Sequence, residues 1–128
     1  MKAATISLIA SSPIGVAALG INCLGSNSCG EFGPGNALAI IREKVKNLPS
    51  TATYVDGQQI ASVNVGDGSC YAAFYQNTGR SFSQYDTWWY LNALYDHGCR
   101  KCGSIPTDSG NNVYNGELTV NYVSICQV

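Results

Sequence analysis

Six cysteines, Cys23, Cys29, Cys70, Cys99, Cys102 and Cys126, constrain this 128-residue chain more than any other feature. All of them lie beyond the opening stretch "MKAATISLIASSPIGVAALG". That stretch carries Lys2 at its start, then small and apolar residues with no acid. Val16, Ala17 and Ala18 put small residues where a signal peptidase reads them. This pattern predicts a signal peptide over 1–18, cut after Ala18, and a mature domain over 19–128. The apolar part is interrupted by "SSP" and is too short for a bilayer span of about 20 residues. The expected product is a secreted, extracellular domain of 110 residues with every cysteine inside it. An even cysteine count in such a small exported chain is read first as a disulfide framework, and six cysteines allow 15 pairings.

The stretch "HGCRKCGS", His97 to Ser104, tests that reading, because C-x-x-C also serves redox and zinc chemistry. A redox pair sits at a helix N-terminus, where the positive end of the helix dipole stabilises thiolate. Here the pair follows the C-terminal end of a predicted helix, where the partial charge is negative. Zinc would need a second pair such as Cys23 and Cys29, and their gap is wider than the usual knuckle spacing. Structural disulfides remain. Bridges that close long loops each contribute on the order of 4 kcal/mol.

Charge narrows the function classes. The net charge is −1, or −2 once Lys2 is removed, so no general attraction to nucleic acid or to anionic membrane is expected. Asn36 is a candidate N-cap for "ALAIIREKVKNL", in which Leu38, Ile41, Val45 and Leu48 recur at helical spacing before Pro49. "QQIASVNV" and "CYAAFYQN" flank Gly66, Asp67 and Gly68 and read as a hairpin. In "SFSQYDTWWYLNALYDHG", Ser83 and Asp86 fit a capping box and Gly98 fits a helix end. Trp88, Leu91 and Tyr95 are expected on one face of that helix. "IPTDSGNNVYNG" reads as a turn-rich connection. "ELTVNYVSICQV" alternates, with Leu118, Val120, Tyr122 and Cys126 expected on the buried side. The order strand, helix, hairpin, helix, strand predicts an α+β domain with helices packed on an antiparallel sheet.

Three separated motifs carry a family likeness: "LGINCLGSNSCG" at Leu19 to Gly30, "HGCRKCGS", and "GNNVYNGELTVNYVSIC" at Gly110 to Cys126. With the helix "GNALAIIREKV" and the strand "CYAAFYQN", they resemble the killer-protein-4 family across essentially the whole mature chain. The resemblance implies a split β-α-β sandwich, an antiparallel sheet with two antiparallel helices on one face. It also implies pairing Cys23 with Cys99 and Cys29 with Cys102, which leaves Cys126 for Cys70. The family's activity would be growth inhibition of competing fungi by blocking calcium uptake at a membrane channel of the target cell. In that family a basic surface and a lysine near the central hairpin matter. Here Val63 stands at that position, and no Lys or Arg occurs between Lys46 and Arg80.

The candidate target-binding residues are therefore Arg100 and Lys101, with Arg80 expected nearby. Two cations could approach the carboxylate ring of a cation channel. Arg42, Lys44 and Lys46 form a second cationic group, which reads first as a solvated helix face. His97 is the only histidine, with Asp96 or Asp108 as conceivable orienting carboxylates. No nucleophile elbow, phosphate loop or metal-ligand histidine pair accompanies it, so no catalytic residue, metal or cofactor is expected. The expectation is a monomeric, non-enzymatic secreted toxin. The alternatives are a secreted effector-like protein acting on a host without channel block and, more remotely, a small ribonuclease.

Overall fold

The computed structural model describes residues 19–30 and 33–128, so the predicted signal peptide lies outside the described residues. Among the described residues two α-helices, α1 (Ala37–Lys46) and α2 (Gln84–His97), accompany six strands. The strands are β1 (Thr53–Tyr54), β2 (Ala61–Gly66), β3 (Ser69–Gln76), β4 (Phe82–Ser83), β5 (Gly103–Pro106) and β6 (Glu117–Val123). The main sheet is antiparallel throughout, in the order β2-β3-β6-β5, and β1 pairs with β4 in a separate two-stranded ladder. This is the α+β architecture that the residue patterns imply, tied together by three disulfides.

Register assigns the faces of the sheet. Tyr71, Ala73 and Tyr75 of β3 lie opposite Tyr122, Val120 and Leu118 of β6, and most of these are fully buried. Directly opposed residues in an antiparallel pair point to the same side, so this is the core face. Leu38, Ile41 and Val45 of α1 and Leu91 and Leu94 of α2 pack against it with no exposed surface. Each such side chain contributes roughly 1.5–3 kcal/mol of burial energy. The core face of α2 is Thr87, Leu91 and Leu94, not the stripe of Trp88, Leu91 and Tyr95, because Thr87 is drawn inward by hydrogen bonds. Its Oγ1 donates to the Ser83 carbonyl and meets the Tyr75 hydroxyl, both at 2.8 Å. Phe82 stacks on Tyr75 with ring centres 4.2 Å apart, and Tyr90 meets both rings edge-on.

The helices run antiparallel, as three contacts along their length establish. The Leu38 N–H donates to the Arg100 carbonyl, Arg42 reaches Asn92, and Gln84 donates to the Val45 carbonyl. Asn36 makes no side-chain cap, because the tertiary bond to Arg100 already serves the first turn of α1. Ser83 does cap α2, accepting from the Asp86 N–H at 3.0 Å. At the other end Gly98 (φ 116°) takes the left-handed conformation that glycine tolerates. Its N–H returns to the Tyr95 carbonyl and that of Cys99 to the Leu94 carbonyl. This reversal delivers the chain directly to the cysteine pair.

Two expectations fail at the chain ends. The N-terminal segment forms no strand of its own: Asn22 makes a single bridge with Ser104, exchanging two backbone hydrogen bonds at the β5 edge. β6 ends at Val123, so the alternation that would put Cys126 on the core face stops short of it. Cys70 lies opposite Val123, on the face away from the helices, and bonding to it requires Cys126 to turn back over that face. The tail is held there by bonds from Cys126 N to the Gly68 carbonyl and from Gln127 N to Gln59, and by the Ser62 hydroxyl donating to the Val128 carbonyl. The stretch 105–116 is also not wholly turn: its start belongs to β5, whose other edge is covered by Asn22.

Candidate functional site

The candidate binding face is built where the C-terminal end of α2 meets the middle and start of α1. Cys99 and Cys102 bond to different partners, Cys23 and Cys29, and every cysteine of the chain is in a disulfide. The C-x-x-C is thus a pair of anchor points that tie the N-terminal loop to the end of α2. Cys99 and Cys102 are buried, while Arg100 between them is exposed and Lys101 is half-buried.

Arg100 is held in place by the helix it follows. One guanidinium nitrogen donates to the Tyr95 and Cys99 carbonyls, both at 2.8 Å, so the Tyr95 carbonyl accepts from Arg100 as well as from the Gly98 N–H. The same guanidinium lies 3.8 Å from the centre of the Tyr95 ring. Arg42 engages that ring as well, at 4.1 Å, while donating to Asn92 at 3.2 Å. Cation–π contacts hold long side chains without removing their charge. Tyr95 therefore fixes two guanidinium groups on one patch. Lys101 turns toward the core side instead, 5.8 Å from the ring centre of Tyr71.

The two cationic groups distinguished in the sequence are therefore neighbours. Arg42 and Arg100 stand 58 positions apart, and nothing local in either segment signals their meeting. The antiparallel register of the helices brings them together. Lys44 departs from the solvated-face reading as well: its ammonium donates to the Ser62 carbonyl at 2.6 Å.

Arg80 does not belong to this face. It precedes the N-terminal end of α2, whose 14 residues span about 21 Å at about 1.5 Å per residue. There Arg80 pairs with Asp108 at 2.8 Å and lies 4.5 Å from the ring centre of Phe82. Asp108 is thereby removed from any role beside His97, which is exposed on the last turn of α2. The aromatic residues divide in the same way. Trp88 packs partly against the core, whereas Trp89 is 55% and Tyr85 64% exposed.

Beside Arg80, Asp56 organises the turn after β3. Its carboxylate accepts from the Thr78 hydroxyl at 2.6 Å and from the Gly79 and Thr78 N–H groups at 2.8 and 3.0 Å. Partial desolvation would raise its pKa, but these bonds and the nearby Arg80 outweigh that and hold it below the ordinary value. A depressed folded-state pKa contributes stability that is present above the unfolded-state value, about 3.9, and lost as pH falls through the folded-state value. Melting temperature is expected to drop on acidification below pH 4 or so, and Asp56→Asn should flatten that acid limb. Parallel acid limbs in the variant and the parent would refute this account of Asp56.

Among the described residues no helix is long and apolar enough to cross a membrane. Comparison with known proteins gives the family. The Kp4 family model matches residues 5–124. The KP4 killer toxin of the Ustilago maydis P4 virus is 41% identical over 111 residues, covering 87% of this chain and 85% of the toxin. With its disulfide-tied α+β fold and its cysteine-anchored helix end, the chain belongs to the killer-protein-4 family and is a killer-toxin-like protein.

Proposed function

We propose that this protein is a secreted, non-enzymatic toxin that inhibits growth of competing fungi by acting on a membrane channel of the target cell and restricting calcium entry. The observation that carries this reading is the 41% identity to a killer toxin across 87% of the chain. The Arg42–Tyr95–Arg100 patch supplies the chemistry. Two guanidinium groups fixed on one ring can face the carboxylates that line a cation-channel entrance. Val63, where the family carries a lysine, is only 8% exposed and sits among the core residues, so the cationic contact falls to the helical layer.

The test is hyphal extension of several fungi treated with the pure oxidised protein, with and without added calcium. Inhibition relieved by millimolar calcium is the expected result. Inhibition indifferent to calcium would remove the channel from the proposal. The second reading, a host-directed interaction protein without channel block, is favoured by the buried Val63 and the slightly acidic net charge of −1. Absence of inhibition across the panel would select it.

A further inference from the structure

The face of the sheet turned away from the helices is only partly covered. The C-terminal tail lies over the Ser62 and Cys70 end. At the other end a cleft of about 290 Å³ remains open. Its floor is β6, whose Glu117, Thr119 and Asn121 alternate with the core residues, together with Ser104 of β5. Gln76, opposite Glu117 in β3, forms one side. The other side is the N-terminal edge segment with Leu24, and the short 3-10 turn Val113–Asn115 with Tyr114.

The lining has a distinctive chemistry. Among the described residues no lysine or arginine lines it, which argues against an anion. Among the described residues one carboxylate lines it, and no group of three metal-ligating side chains forms. The floor is rigid: the Ser104 and Thr119 hydroxyls meet at 2.8 Å, and Thr119 donates to the Gly103 carbonyl. The Asn121 oxygen is occupied by the Ser26 and Tyr122 N–H groups, which orients its amide and leaves the NH₂ without a bond to another described residue. Gln76 is exposed beside Glu117, its register partner. Glu117 is half-buried, and that desolvation raises its pKa. Tyr114 is 51% and Leu24 63% exposed at the rim.

The geometry points to this cleft as a binding site for a neutral saccharide, with Glu117, Gln76 and Asn121 bonding its hydroxyls and the Tyr114 ring covering a C–H face. Planar amides and a carboxylate each meet neighbouring hydroxyls in pairs, and an aromatic ring covers the apolar side of a sugar. The volume lies at the small end for ligand sites and suits about one or two sugar rings. This inference is independent of channel block.

Isotope-labelled oxidised protein titrated with laminaribiose, chitobiose and mannobiose, and followed by amide NMR shifts, tests it. Saturable shifts at residues 76, 114, 117 and 121 with at least one disaccharide are expected by tens of millimolar. Tyr114→Ala and Glu117→Gln should each weaken binding about tenfold while the remaining spectrum stays unchanged. Response to the glucose or N-acetylglucosamine disaccharide would identify a wall polysaccharide as the source, and response to mannobiose a mannosylated protein. No saturable shift with any of the three, or shifts confined to Tyr85 and Trp89 on α2, would overturn the proposal. So would binding that survives in both variants.

Discussion

Replacing Cys23 and Cys99 together by alanine lowers the melting temperature by more than about 15 °C. The bond spans 76 positions, and restricting a loop of that length in the unfolded chain is worth about 4.5 kcal/mol at 25 °C. A domain of this size has a total stability of about 5–15 kcal/mol, so one bridge is a large share of it. Native contacts add to the loss, because Cys99 is 1% exposed within the core cluster and the bridge holds Asn22 against the edge of β5. The Cys70–Cys126 bridge spans 56 positions, and since loop entropy varies with the logarithm of length, its removal costs nearly the same, about 4 kcal/mol. Thermal melts of the two double variants beside the parent measure both effects. A Cys23→Ala/Cys99→Ala protein that melts within a few degrees of the parent would sink the idea that the staples decide folding. A wide gap between the two variants would place most of the stabilisation in native contacts rather than in the unfolded chain.

Reversing Arg100 and Lys101 to glutamate reduces growth inhibition at least tenfold, equivalent to about 1.4 kcal/mol of lost contact with the target. Arg80→Glu leaves it unchanged, because Arg80 sits at the far end of α2 in a pair with Asp108. The double reversal also removes the Arg100 bonds to the Tyr95 and Cys99 carbonyls and places an anion at a helix C-terminus, which costs about 1 kcal/mol. Melting curves therefore accompany the growth assay, and Arg42→Gln provides a milder second probe of the same ring. Inhibition should also weaken with rising salt, as expected for an exposed electrostatic contact. Full inhibition by a folded Arg100→Glu/Lys101→Glu protein would show that the end of α2 is not the contact face.

Much of the scaffold is legible in short stretches of sequence. Ser83, Asp86 and Gly98 mark the ends of α2 because caps are made by residues three or four positions apart. Gly66, Asp67 and Gly68 mark the hairpin because all three have positive φ (108°, 46° and 88°). The candidate site was half legible. Arg100 stands out between two cysteines, and its exposure follows from the reversal that Gly98 begins. Its partner Arg42 does not stand out, and Arg80 looks like a neighbour although it is not one. The open cleft is not legible at all, because Glu117, Thr119 and Asn121 read as an ordinary solvated strand face. Only the edge segment, closing over them from about 95 positions away, gives that face walls.

The sequence by itself determined the two helices, the hairpin, the last strand, the end of α2 and the family, because caps, turn residues, periodicity and the quoted motifs act over a few neighbouring residues. Tertiary structure alone decided that Arg42 and Arg100 share Tyr95, that Arg80 is committed to Asp108, and that Cys126 turns back to the outer face of the sheet. These depend on the register of two helices and on which side of β3 a side chain leaves. Such choices are settled by the packing of the whole core, to which distant residues contribute together.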